Sequence, residues 1–357
     1  MKLVDRQELA RLGRRLADEL REAAANPAGL SRRQQLEIWR RGFPQRHALM
    51  YDFDRYGIDA YVSELERRRR LPRLNRGGHS LVRDKLMSYF FLREIGTPTP
   101  KVLALIHAGR TIMLDGHGAD DLDALLRERG RLIVKPRDGA FGRRVRLLEH
   151  SEGRTLVNGR EVAGAEAAID GPAIVSEHVT QHAYAAGVFP GSLNTIRVVC
   201  LRDPRGGESL AVHAFHRFGT ERSRPVDNVS SGGLSADVDL ETGRIGELLA
   251  ETGFYLPPGE PPQFLPEHPD TGAAVQGTVV PRWREILAEL NRTMLRLPGL
   301  HWVGWDVAVT PDAFTVVEGN GGTDITFQTW RPMLADERVE KILEANGMLM
   351  WRRRVRR

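Results

Sequence analysis

The hydrophobic rhythm of the chain changes from helical at both ends to strand-like in the middle. Leucines and alanines recur at helical spacing among many charges over 5–24, which predicts an amphipathic helix. The helical pattern continues over 30–70, with breaks at 42–44 and at Gly57, and 71–79 reads as a linker. A helix is expected over 80–94, ending at Gly96 and stopped by Thr97-Pro98-Thr99-Pro100. From 101 to 180, short strands alternate with one helix at 120–129. Strands are then expected at 195–201, 210–218 and 234–240, a loop at 255–275 and a helix at 281–296. A β-hairpin follows, and then a terminal helix near 335–346. Helices mixed with antiparallel strands predict an α+β fold rather than a doubly wound sheet.

The hairpin carries the first candidate chemistry. The stretch Trp302–Asn320 reads as two β-rich runs joined by a Pro311-Asp312 turn, a hairpin about Pro311–Ala313. Folding about that turn sets Asp306 opposite Glu318, where Cβ atoms are about 5 Å apart and like charges destabilise. Asn320 leaves the same face two residues on. Two carboxylates and an amide oxygen converging in an apolar hairpin suit a hard divalent cation such as Mg²⁺, held together with substrate phosphates.

Lysine usage points the same way. Only Lys2, Lys85, Lys101, Lys135 and Lys341 occur among 52 basic residues. In a chain that otherwise uses arginine, the retained lysines suggest a need for a compact charge on a flexible stem. Lys135 ends the apolar run Leu132-Ile133-Val134-Lys135-Pro136, and the turn Asp138-Gly139-Ala140-Phe141-Gly142 follows. A lysine at a strand end with backbone N–H groups in a glycine turn can grip phosphates. The wording is not that of a Walker loop, because no Gly-Lys-Ser/Thr is present. An ordinary hairpin bend explains the turn equally well when the turn is taken alone.

Arg217 and Asn228 with Gly232-Gly233 are candidates for an acceptor side, since arginine and backbone N–H groups suit a carboxylate. The histidines, His178, His182, His213 and His216 among them, cluster loosely and read as packing rather than metal ligands. The net charge of +5 is mild, and the basic runs at 67–70 and 352–357 lack the aromatic interleaving of a nucleic-acid surface. No run approaches the roughly 18 apolar residues of a membrane span, and 1–8 is too charged for a signal peptide. Cys200, the single cysteine, lies in an apolar strand. No internal disulfide is possible, and a reducing cytoplasm fits.

In this order the motifs resemble those of ATP-grasp enzymes. They run Asp84-Lys85, Gly96-Thr97-Pro98-Thr99-Pro100, Val134-Lys135-Pro136, the glycine turn, Val175-Ser176-Glu177-His178-Val179 and Asn194-Thr195-Ile196-Arg197. Asp227-Asn228 leading to Gly232-Gly233, Gly304-Trp305-Asp306 and Glu318-Gly319-Asn320 complete the set. The wording is most similar to the sugar-transfer-associated ATP-grasp group, and the resemblance covers roughly 80–330. It implies an α+β ATP-grasp fold with ATP between two lobes, a small one over 80–180 and a large one over 181–357. An N-terminal helical region and linker would occupy 1–79.

The resemblance also implies roles. Lys85 and Lys135 would reach the phosphates, and Asp138, Gly139 and Gly142 would belong to a loop closing over them. Glu177 and Val179 would form the adenine hinge, Arg197 would face the γ-phosphate, and Asn194 would join the substrate side. Asp306, Glu318 and Asn320 would hold Mg²⁺. The implied activity is ligation of a small-molecule carboxylate to an amine or thiol through an acyl phosphate, releasing ADP and phosphate. A small-molecule kinase or a non-catalytic nucleotide-binding regulatory module are the alternatives. The pattern is departed from after the hinge, where Gln181 and His182 stand in place of a ribose-binding acid.

Overall fold

The structure is a computed structural model that describes residues 24–350 apart from 27, 109, 115–120, 138–143, 167–168, 170, 252 and 258. The helix expected at 5–24 therefore falls almost wholly outside the described residues, as does the basic tail.

Two seven-stranded antiparallel sheets make the body. The first is ordered β2 (Arg110–Met113), β1 (Val102–His107), β7 (Ala173–Glu177), β3 (Arg131–Pro136), β4 (Arg146–Ser151), β5 (Arg154–Val157) and β6 (Arg160–Val162). The second is ordered β12 (Gln263–Leu265), β11 (Ile245–Ala250), β10 (Leu234–Val238), β9 (Ser209–Phe218), β8 (Ile196–Arg202), β13 (Trp302–Val309) and β14 (Phe314–Asn320). The expected strands of the large region are found within two residues of their predicted ends, and the 255–275 loop also contributes β12.

Each sheet buries one face against a helix. The helix Leu122–Arg129, capped by Asp121, drops Leu122, Leu125 and Leu126 onto Leu132 and Val134 of the first sheet. The helix Trp283–Arg296 lays Ile286, Leu290 and Met294 against Val198, Ala236 and Val303 of the second. The i, i+4 spacing of those leucine-type residues places them on one stripe. The other face of the second sheet is covered in part by Phe327, Met333 and the helix Glu337–Ala345. Its remaining part carries the charged residues described below.

Two expectations are corrected. The helix predicted over 80–94 is broken into Ser80–Arg83 and Lys85–Glu94, with Asp84 extended between them. Its carboxylate accepts from the N–H groups of Leu86 and Met87, so it starts a new helix rather than continuing the old one. The stretch 71–79, expected as a linker, is packed. Leu71 and Leu74 enter the core beside Trp302, and Asn75 is wholly buried. Gly78 approaches Gly299 so closely that a Cβ on it would lie 2.7 Å from the Gly299 carbonyl carbon. Its glycines are there for a backbone crossing, not for slack.

Candidate active site

The hairpin register is the one read from the sequence: Asp306 pairs with Glu318 and Gly304 with Asn320. It is reached by a route the sequence did not disclose. Val307 pairs with Val316, so Val317 is an extra residue between the two pairs. This β-bulge brings Glu318 opposite Asp306; a regular ladder continued from Val309 and Phe314 would put Val317 there instead.

Asp306 is also paired with Arg197 on β8. Arg197 grips both of its oxygens, through Nε to Oδ1 and through Nη2 to Oδ2 at 3.1 Å. Arg217 Nη2 reaches the same Oδ2 at 3.0 Å. Burial pushes the Asp306 carboxyl up, but Arg197 and Arg217 outweigh it and hold it at about 2. On its far side Arg217 faces Asp227 at 3.4 Å. Asp227 in turn accepts from the Thr195 N–H and hydroxyl, at 2.8 and 2.5 Å. Acids and arginines thus alternate in one buried row, Asp227, Arg217, Asp306, Arg197. Gly304 makes room for it, since a Cβ there would collide with Thr323 Oγ1 and the Arg197 stem.

A cavity of about 480 Å³ opens over this row. Lys85, Lys135, Arg217, Asp227, Asp306 and Glu318 are among its charged lining residues. Ile133, Val145, Leu147 and Val179 add apolar wall, with Arg131 and Glu149 two positions from Ile133 and Leu147 on the same strands. Burial lowers the Lys135 ammonium, while Glu318 pulls it back up. Lys85 Nζ is 4.0 Å from Glu318. Lys85, Lys135 and Glu318 also border an adjoining space of about 50 Å³ that Asn320 lines.

The expected residues are thus partly gathered. Lys85, Lys135, Glu177, Val179, Arg217, Asn228, Asp306 and Glu318 share the large cavity. Arg197 stands behind Asp306 rather than in the cavity wall. Asn194 does not line the cavity: its amide donates to the carbonyls of Ala185 and Phe189 and accepts from Ser192 Oγ and the Gly219 N–H. With every hydrogen-bonding position used, it braces the turn before β8. Gly232 and Gly233 do not line the cavity either. Gly232 closes a turn at φ +100°, and a Cβ on Gly233 would strike the Asp227 carbonyl. They seat Asp227 and Asn228. Asp138, Gly139 and Gly142 lie outside the described residues.

Asp227 was missed as a site residue, because only its partners across three strands reveal its place. Gln181 lines the cavity and also braces the backbone. Its amide holds the carbonyls of Phe189 and Ser192 and the N–H of Asn194. His216 stacks on Phe218 at 4.1 Å and bonds Tyr184, and His213 stacks on Phe327 at 4.6 Å, whereas His178 lines the cavity.

The donor set suits a hard cation unevenly. Glu318 is part-exposed at the cavity and Asn320 stands beside it, its amide 3.4 Å from Glu318 Oε1 and 3.3 Å from Asp306 Oδ2. Those two can turn oxygen toward a metal, the amide by a flip of its O and N. Asp306 already spends both oxygens on arginines. Among the described residues no group of three histidines, cysteines or acids is arranged for a metal.

The family described as sugar-transfer associated ATP-grasp matches residues 66–342. The chain belongs to that family. The two antiparallel sheets around a charged cleft are its ATP-grasp fold. Similar solved structures include N5-carboxyaminoimidazole ribonucleotide synthetase from Thermotoga maritima, with 14% identity, TM-score 0.35, and coverage of 68% of this chain and 42% of that one. The ATP-grasp ligase PsnB, complexed with minimal precursor, Mg and ADP, gives 15% identity and TM-score 0.36, covering 75% and 60%. Biotin carboxylase from Campylobacter jejuni gives 11% and 0.45, covering 77% and 48%. The ATP-grasp chain thus spans less than two thirds of each of these proteins. No curated protein matches it. Among the described residues, no helix is long and apolar enough to cross a membrane.

Proposed function

We propose that this ATP-grasp protein joins a small-molecule carboxylate to an amine or thiol, with an acyl phosphate as intermediate and ADP and phosphate as products. The observation that carries the reading is the lining of one cavity. Two lysines, three acids and an arginine from separate elements meet there with Ile133, Val145, Leu147 and Val179, which offer apolar wall to a planar base.

A carboxylate is a poor electrophile toward an amine. Phosphorylation gives it a good leaving group, and the amine then displaces phosphate. Such a transfer asks the protein for position and charge neutralisation rather than for a nucleophilic side chain. Lys85 and Lys135 hold phosphate oxygens. Ile133, Leu147 and Val179 enclose the base, with the Glu177–Val179 backbone as hinge. Arg217, with Arg197 behind it, puts fixed positive charge at the reacting end, where it costs no reorganisation as the transition state forms. Asn228 lies on the acceptor side. Glu318 and Asn320 would hold Mg²⁺, with Asp306 next to them, and the ion when bound neutralises phosphate charge.

ADP release tests the reading. The protein is supplied with ATP and Mg²⁺, plus amino acids, sugar acids or peptides as carboxylates, with and without an amine or thiol. ADP that requires both partners supports ligation. ADP formed with a hydroxyl compound alone makes the protein a kinase, and absence of nucleotide binding refutes both.

A further inference from the structure

Lys85 and Lys135 reach the cavity from different elements. Lys135 is near the end of β3 in the first sheet, while Lys85 opens the helix Lys85–Glu94. That helix is anchored by Leu92 in the core of the second sheet and by Tyr89 against Val102 and Ile174 of the first. Tyr89 and Leu92 lie about 6 and 10 Å along the axis from Lys85 at 1.5 Å per residue. The first turn is held by Leu86, which packs against the same cluster as Tyr89, and by a polar tie. Arg137, two residues after Lys135, directs Nε and Nη2 at Asp84 Oδ2, at 2.8 and 2.7 Å. The Lys85 N–H donates to the Arg137 carbonyl at 3.3 Å. Asp84 Oδ1 meanwhile caps the helix. One aspartate therefore starts the helix that presents Lys85 and ties it to the strand that presents Lys135. Burial lowers the Lys135 ammonium, Glu318 raises it and Lys85 lowers it, so the separation of the two lysines bears on the charge of the cavity.

We propose that Asp84 and Arg137 form a latch that fixes the separation of Lys85 and Lys135, and so sets affinity for the triphosphate. They are positioning residues, and the proposal about affinity rests on the ATP reading above. Asp84→Asn keeps a good capping side chain but removes the charge-assisted tie. In the full chain, titration with Mg²⁺ and a non-hydrolysable ATP analogue should show a roughly tenfold loss of affinity for Asp84→Asn and for Arg137→Gln. The double variant should lose no more than either single one, because one interaction is removed in all three. Arg137→Lys, with charge but no fork, should fall between. Unchanged affinity, or losses that add, overturns the proposal. A second readout needs no nucleotide. Spin labels at Met87→Cys on the helix and Arg160→Cys on β6 should report a broader distance distribution in Asp84→Asn than in the parent. Equal widths overturn the latch. Failure of the parent protein to bind nucleotide sinks the ATP reading, while the label distances still decide the latch.

Discussion

Lys135 was legible as a candidate because arginine fills nearly every other basic position. It lines the cavity together with Lys85 and Glu318. An arginine fork there would be bulkier and would misplace a phosphate, and about 1 Å of error can cost roughly 100-fold in rate. Lys135→Arg should therefore lower turnover by about that factor, and a rate near that of the parent would make the lysine an ordinary charge. Glu318→Gln removes the carboxylate best placed for Mg²⁺. ADP formation should be lost while the unfolding midpoint stays unchanged, and retained activity would refute the metal role. Asp227 was not legible in the same way. Nothing near it in sequence hints at Arg217, Thr195 or Asp306, and an ion-pair row across three strands exists only after the strands are ordered.

Elements were read well where one rhythm dominated and poorly where a single side chain redirected the backbone. The helix Trp283–Arg296 and strands β8 and β9 follow from spacing alone. Asp84 split a predicted helix because its carboxylate competes for backbone N–H groups, which periodicity does not register. The bulge at Val317 was invisible too, although the pairing that it creates was anticipated. The stretch 71–79 was misread because glycines and a proline look alike in a linker and in a tight crossing. Asn75 shows what that stretch does. Its amide accepts from the His301 and Trp302 N–H groups at 2.8 and 3.0 Å, and donates to the Trp302 and Gly321 carbonyls at 2.6 and 3.1 Å. It thereby pins both flanks of the site hairpin. Asn75→Ala would strand several buried backbone groups at about 1–3 kcal/mol each. Urea unfolding should show a loss of about 3 kcal/mol or more, and a loss under 1 kcal/mol would mean that water replaces the amide.

At the scale of the whole molecule, the α+β class and the ATP-grasp order of motifs were legible, because each motif keeps its place in the sequence. The support beneath them was not, since it comes from outside that order. One buried acid predicts how the folded state responds to pH. Glu251, just past β11, has Ser235 Oγ at 3.3 Å. Burial, with Asp324 adding, pushes its carboxyl up to about 8 from an ordinary 4.5. The folded chain keeps a proton that the unfolded chain releases, so stability falls as pH climbs from about 4.5 to 8, by at most about 1.4 kcal/mol per unit. Glu251→Gln should flatten that decline between urea curves at pH 5 and pH 8, and an unchanged decline would refute it. The N-terminal contacts reach further. Tyr51 donates to the Ile325 carbonyl, and Gln328 bonds both backbone groups of Val62. With Asn75, they stitch the segment before residue 80 to both sides of the site. The ATP-grasp body is consequently not a cassette. An excision that starts at residue 80, or a transplant of 80–330 into another scaffold, would leave behind the floor on which its acidic hairpin stands.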